Sequence, residues 1–270
     1  MVKYILNNRL LFIGIHILLG YASTLLRGSN SLKLLWLLII GFFIFRIFFK
    51  KNRNEEAFLF AAYISAAEVF IRMSKGMILY ETGKYSVILF LLLGIFVGKF
   101  KQKFSISLAF YLLLLLLGIV FTRVPEGEYI RKAIAFNLSG PFVLGIAGLY
   151  FYKRSITKEN LINALLFMLL PLFSMVTYLY FKTPDLKDIV FGGAANFATS
   201  GGFGPNQVAT AIGLGIFIIA VFILMKERIT GFLLLDVFLL LYFVYRGLLT
   251  FSRGGLITGV IALICFSLFY

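Results

Sequence analysis

The stretch PNQVATAIGLGIFIIAVFILM occupies residues 205–225 and carries no charged side chain. Its length matches the roughly 20 apolar residues that an α-helix needs to cross a bilayer. Similar windows recur along the chain, which is 61% hydrophobic and 14% charged, with a mean hydropathy of +0.99. Because soluble globular chains are about 45–50% apolar and ~25% charged, this composition excludes a soluble domain and predicts a polytopic, all-α membrane protein.

The apolar windows predict about ten transmembrane helices joined by short connections. We expect them to pack as one helical bundle, a single transmembrane domain over residues 1–270. The predicted spans are 10–26, 34–49, 57–73, 86–98 with a start near 77, 105–122, 136–152, 161–181, 205–225, 232–249 and 256–270.

The net charge of +15 raises the question of nucleic-acid binding. A nucleic-acid-binding protein concentrates its basic residues on one polar face. Here the Lys and Arg residues are dispersed between apolar runs, near the predicted helix ends. This distribution indicates contact with lipid head groups and argues against a nucleic-acid partner. The single cysteine, Cys265, allows no intrachain disulfide.

Basic residues in short loops predict a cytoplasmic N-terminus. With that orientation the compact clusters Lys50–Arg53, Lys99–Lys103 and Lys153–Lys158 all fall on the cytoplasmic side, as the positive-inside rule requires. The rule does not explain basic residues on the other side of the membrane. We expect a group of such residues there, which we call the collar, to bind an anionic ligand. The collar comprises Arg72, Arg123, Arg131, Lys132, Arg246 and Arg253. For Arg123, Arg131 and Lys132, a solvated loop with local charge pairing is the alternative.

The longest predicted connection is an outer-face loop over residues 182–204. It is rich in Gly, Ser and Ala, and it enters the next helix through Pro205, a residue that suits a first helical turn. Loops of this length are often functional or disordered.

Two short motifs stand at the predicted outer face. The first is SGGFGPNQVA at 200–209, and the second is TFSRGGL at 250–256. Two helices separate them, so helix parity returns both motifs to the same side of the membrane.

Arginine is costly in a short turn near the bilayer, which makes Arg253 a candidate for binding a phosphate through its planar guanidinium. Snorkelling to head groups is the alternative for this residue. Asn206 is expected to cap its helix or bind a ligand. Gly254 and Gly255 permit close approach of a substrate or of a neighbouring backbone.

The pairing of Gly-Gly-Phe-Gly-Pro-Asn-Gln at 201–207 with Phe-Ser-Arg-Gly-Gly at 251–255 resembles the O-antigen ligase/polymerase superfamily. The resemblance covers roughly residues 190–270. It implies transfer of a glycan from undecaprenyl pyrophosphate to lipid A core or to a growing polysaccharide, at the periplasmic face of the bacterial inner membrane. It implies no nucleotide sugar, metal or other cofactor.

Within this resemblance, Arg253 matches the motif arginine and is expected to stabilise the departing pyrophosphate as the catalytic residue. Asn206 is expected to shape the outer entrance. The further substrate-binding candidates are Arg246, Gly254, Gly255, Arg72 and Arg123.

The chain departs from the family in one respect. Family members carry a histidine in a later periplasmic segment, whereas the only histidine here is His16, in the middle of the first predicted span. We expect His16 to be a packed helix residue and Asp236 to have a structural role. We also expect residues 1–270 to be an N-terminal portion that is inactive alone. A transporter or flippase of lipid-linked glycans and a non-catalytic membrane subunit remain as alternatives.

Overall fold

The computed structural model describes residues 8–98, 103–127, 129–185, 187 and 195–269. Within these residues the protein is all-helical, with ten helices and no strand. The helices are α1 (Arg9–Leu25), α2 (Asn30–Lys50), α3 (Glu56–Met73), α4 (Thr82–Val97), α5 (Ile106–Val120), α6 (Ile130–Phe151), α7 (Lys158–Lys182), α8 (Pro205–Leu224), α9 (Leu233–Leu249) and α10 (Arg253–Phe269).

Four of these helices, α2, α6, α7 and α8, are long and apolar enough to cross a membrane. Helices α1, α4, α5 and α10 are apolar but shorter. Helix α2 carries a stripe of exposed apolar side chains at helical spacing, formed by Leu34, Leu38, Phe42, Phe45 and Phe49. A stripe of this size facing outward is compatible with a lipid environment.

The chain divides into two compact units. The first contains Met1–Leu32, Val69–Gly76 and Leu165–Tyr270, and therefore α1, most of α7 and all of α8, α9 and α10. Its core includes Phe173, whose ring meets that of Phe243 edge-on with centroids 5.8 Å apart. Helices α1 and α7 touch through their backbones, because a Cβ at Gly20 would overlap the Ser174 carbonyl.

The second unit contains Lys33–Glu68 and Met77–Ala164. Its core centres on Phe43, which stacks on Phe60 at 4.1 Å between centroids and meets the Phe90 ring edge-on at 6.0 Å. A buried polar network lies near the α2–α3 turn. Arg154 forms an ion pair of 3.0 Å with Glu55, and the Tyr150 hydroxyl donates a 2.8 Å hydrogen bond to the same carboxylate.

Helix α6 begins earlier than the sequence predicts. The hydropathy window starts the sixth span at residue 136, whereas the helix begins at Ile130. Arg131 and Lys132 therefore lie in its first turn and not in a loop before it. The reason is that lysine and arginine lower hydropathy but are good helix formers, so an apolar window ends before the helix does. Helix α10 also begins earlier than predicted. The tenth span was expected to start at residue 256, whereas the helix starts at Arg253.

Candidate functional site

The two motifs meet in the structure. Asn206 lies in the first turn of α8, and Ser252 immediately precedes α10. The Ser252 hydroxyl donates a 2.8 Å hydrogen bond to the side-chain oxygen of Asn206. This hydrogen bond joins the start of α8 to the start of α10, so the two motifs form one site.

Glycine packing between α8 and α10 brings the motifs together. A Cβ at Gly255 would overlap the backbone of Ala209 and Thr210, and a Cβ at Gly213 would overlap the Gly255 carbonyl. One turn further along, a Cβ at Gly259 would come within 2.8 Å of the Gly213 carbonyl oxygen. We call this contact the glycine seam. Small residues at this spacing let two helix backbones touch, so the seam fixes the distance between the starts of the two helices.

An open depression of about 610 Å³ lies where α8 and α10 begin. The two helix N-termini at this place give it positive partial charge, which favours an anion. Within the residues described, the lining contains one charged side chain, Arg253, and no carboxylate. We call this site the α8–α10 depression; its lining residues are Ala195, Asn206, Thr210, Phe251, Ser252, Arg253, Gly254 and Gly255.

Arg253 is exposed at this depression. Its guanidinium makes no hydrogen bond or ion pair with any residue of the described chain, so its donors remain available to a ligand. Beside it, a Cβ at Gly254 would meet no atom within 4 Å. The two adjacent glycines therefore differ: Gly255 is packed against a neighbouring backbone, while Gly254 faces open space.

The described end of the predicted outer loop, residues 195–204, is held by hydrogen bonds, and its Ala195 lines the depression. The Asn196 side-chain oxygen accepts hydrogen bonds from the amides of Ala198 (2.9 Å) and Thr199 (3.2 Å). The Asn196 amide donates to the Thr250 carbonyl at 2.9 Å, which ties the loop to the α9–α10 turn. Gly201 and Gly202 have φ angles of 65° and 71°, a conformation that favours glycine. Residues 188–194 of the predicted loop lie outside the described residues.

The α9–α10 turn contains a non-glycine residue in the left-handed region. Phe251 has a φ of 53°, which is rare for an aromatic side chain and costs free energy. Hydrogen bonds hold the turn in place: the Ser252 amide donates to the Thr250 hydroxyl at 3.2 Å, and that hydroxyl donates to the Gly247 carbonyl at 2.7 Å. The turn thereby directs Ser252 towards Asn206. Sequence reasoning assigned no role to Asn196, Thr250 or Phe251.

Arg246 does not line the α8–α10 depression. It lies in the last turn of α9, where it is only 4% exposed. Its Nη2 donates a 2.7 Å hydrogen bond to the Thr183 hydroxyl, just beyond α7. Its buried Nε has no hydrogen-bond partner among the described residues. Arg246 is thus a buried cation that is partly satisfied. Arg72, another collar residue, is buried in the last turn of α3.

The remaining collar residues belong to the second unit. Arg123 is exposed in the segment after α5. Arg131 and Lys132, at the start of α6, line a separate and larger groove. Of the candidate residues, the structure therefore brings Arg253, Asn206, Gly254 and Gly255 together, and it places Arg246, Arg72 and Arg123 elsewhere.

His16 and Asp236 have the structural environments that the sequence predicts. His16 is 6% exposed in α1, and its Nδ1 lies 2.7 Å from the Phe12 carbonyl oxygen. Asp236 is fully buried and accepts hydrogen bonds from the amides of Ile229 and Thr230 and from the Thr230 hydroxyl. Within the described chain, no three His, Cys, Asp or Glu side chains cluster as metal ligands.

Comparison with known protein families, with curated proteins and with solved structures found no match to this chain.

Proposed function

We propose that the protein is a multi-pass membrane protein of the bacterial inner membrane, with its N-terminus in the cytoplasm and with all ten helices embedded in the bilayer. Four helices of sufficient length and hydropathy and the exposed apolar stripe of α2 support this placement. The shorter helices α1, α4, α5 and α10 have 15 to 17 residues. Helices of this length suit a thin or locally thinned hydrocarbon layer.

Within that membrane, the proposed function is that of the O-antigen ligase/polymerase type. The α8–α10 depression binds the pyrophosphate of an undecaprenyl-linked glycan at the periplasmic face. The observation that carries this proposal is the position of Arg253: an exposed guanidinium with free donors, at two converging helix N-termini, beside the Asn206–Ser252 hydrogen bond. Guanidinium groups bind phosphate oxygens in pairs, and helix N-termini favour anions.

The proposal gives these residues the donor side of a glycan transfer. The bond between the anomeric carbon and the pyrophosphate oxygen breaks, and the oxygen of an acceptor hydroxyl, on lipid A core or on another glycan, forms the new bond to that carbon while its proton passes to water. The electron pair of the broken bond stays on the pyrophosphate. Arg253 and the amides that begin α10 stabilise this charge, as fixed donors do at other sites where an anion develops.

The test is binding of undecaprenyl pyrophosphate to the protein in lipid nanodiscs. We expect Arg253→Gln to weaken binding by about tenfold to a hundredfold, the usual cost of losing a charge-assisted hydrogen bond. Arg253→Lys keeps the charge but loses the paired geometry, so its affinity should lie between those of the wild type and Arg253→Gln. The matched control is Arg53→Gln, which removes an exposed arginine from the second unit and should leave affinity unchanged.

Two outcomes would contradict the proposal. Equal affinity of Arg253→Gln and the wild type would show that the pyrophosphate does not bind in this depression. The second outcome is that the protein moves the lipid-linked glycan across the bilayer of sealed vesicles but transfers no glycan to an acceptor in a complete system. This result would favour a transporter or flippase over a transferase.

A further inference from the structure

A large groove in the second unit is distinct from the α8–α10 depression. It has a volume of about 1020 Å³, just above the range of about 300–1,000 Å³ for small-molecule sites. Three helices form its walls. Apolar side chains line most of it, including Tyr85 and Ile88 of α4, Leu116 of α5, and Leu138 and Phe142 of α6.

One end of the groove is polar and positively charged. Arg131 and Lys132, in the first turn of α6, both line it there. Among the described residues that line the groove, Glu81 carries the one carboxylate, and it is paired with a lysine. Lys84 lies 2.7 Å from the Glu81 carboxylate, and Ser139 bridges the pair with hydrogen bonds of 3.2 Å on either side. The two basic residues therefore give this end a net positive charge.

Charge and apolar walls lie in a definite order along α6. Arg131 and Lys132 begin this helix, whereas Leu138 and Phe142 follow two to three turns later. The Glu81 carboxylate, just before α4, accepts a hydrogen bond from Ser139, which also lies about two turns beyond Arg131. The neutralised pair of Glu81 and Lys84 is therefore level with the apolar part of the groove, and the two cations stand apart from it at the start of α6. A ligand that matches this order has an anionic group joined to a hydrocarbon chain.

We propose that this groove binds one anionic lipid, with a hydrocarbon chain between α4, α5 and α6 and the phosphate of its head group beside Arg131 and Lys132. The apolar lining selects the chain, since each buried methylene group adds to affinity. The two cations select an anionic over a zwitterionic head group. This inference rests on the membrane placement under Proposed function and is independent of the chemistry proposed at Arg253.

The experiment is native mass spectrometry of the full chain exchanged into mixed micelles of phosphatidylglycerol and phosphatidylcholine. We expect the wild type to retain one phosphatidylglycerol molecule. The double variant Arg131→Gln/Lys132→Gln should bind it about thirtyfold more weakly, because each basic side chain beside an anionic head group contributes on the order of a fivefold factor. The control Lys51→Gln/Arg53→Gln removes the same charge from the other end of the second unit and should retain the lipid.

A second pair of variants tests the groove by shape. Ala135 lines the groove, so Ala135→Trp should fill it and abolish lipid retention. Asn137 is exposed on the same helix and does not line the groove, so Asn137→Trp should retain the lipid. Unchanged retention in Ala135→Trp, equal retention of the two lipids by the wild type, or full displacement by glycerol phosphate would each overturn the proposal. Arg131→Gln/Lys132→Gln should still bind undecaprenyl pyrophosphate normally. This measurement distinguishes a failure of the lipid-groove proposal from a failure of the function proposed at Arg253.

Discussion

Arg253, Gly254 and Gly255 are consecutive residues with three different environments. Arg253 is exposed with free donors, Gly254 has space where a side chain would be, and Gly255 touches the backbone of α8. A sequence motif presents them as one unit, because identity and spacing are all that it records. The structure separates a ligand-facing position from a packing position.

At the residue scale, we expect Gly255→Ala and Gly254→Ala to behave differently. The methyl group of Gly255→Ala would overlap the Ala209 backbone, and overpacking of this kind costs about 1–3 kcal/mol. Gly254→Ala should leave the free energy of unfolding nearly unchanged, since nothing lies within 4 Å of the added carbon. Unfolding in detergent micelles, followed by circular dichroism, measures both. Equal destabilisation by the two variants would contradict the glycine seam.

Arg253 and Asn206 could be singled out from sequence because their residue types and helix parity placed them together. The roles of Asn196, Thr250 and Phe251 could not. The link between Asn196 and the Thr250 carbonyl uses the Asn196 backbone amide, and Phe251 adopts a left-handed φ that its side chain disfavours. Neither property is encoded in residue type or hydropathy. The burial of Arg246 against Thr183 was equally invisible, because a helix end exposes a residue or buries it according to its neighbours.

At the scale of the element, one buried carboxylate organises the α8–α9 turn. Asp236 accepts hydrogen bonds of 3.1 Å and 3.0 Å from the amides of Ile229 and Thr230 and one of 2.7 Å from the Thr230 hydroxyl. These donors lie before α9 begins, so the side chain fastens the turn to the first turn of the helix. The position of this turn determines how α9 packs against α8.

Removing this carboxylate should destabilise the hairpin of α8 and α9. We expect Asp236→Ala to lower the free energy of unfolding by about 1–3 kcal/mol, the cost of leaving buried donors unsatisfied. Asp236→Asn keeps one acceptor oxygen and should lose less. The control Glu159→Ala removes an exposed carboxylate at the start of α7. Thermal unfolding in detergent gives the ranking, and an Asp236→Ala variant as stable as the control would show that the carboxylate does not hold the turn.

The ten helices of the described residues could be predicted from sequence because long apolar windows leave few alternatives to a helix. The start of α6 was not, since Arg131 and Lys132 end a hydropathy window without ending a helix. The division of the chain into two units also has no signature in hydropathy, which records how apolar a window is but not its packing partner. Helix α7 illustrates this point: it is as apolar as its neighbours, yet 72% of its apolar window is buried, against 22% for α6.

At the scale of the whole molecule, the proposed membrane orientation places the segment after α7 and the segment after α8 on opposite sides of the membrane. In a Cys265→Ser background, which removes the exposed native thiol, we expect Asp185→Cys to react with an impermeant maleimide in intact spheroplasts. Lys226→Cys should react only after the membrane is permeabilised. Both side chains are exposed. The reverse pattern would place the α8–α10 depression on the cytoplasmic side and would exclude a periplasmic donor site.

The glycine seam also has a consequence for biogenesis. Gly213 leaves the ribosome well before Gly255, with all of α9 between them, so α8 is synthesised before its partner helix exists. Under the proposed membrane placement, the face of α8 that carries the glycine seam contacts lipid or another helix until α10 is made. The α8–α10 depression is therefore complete only once α10 has docked. A ribosome stalled inside that helix would leave a nascent chain with all the preceding helices formed but without a docked Arg253.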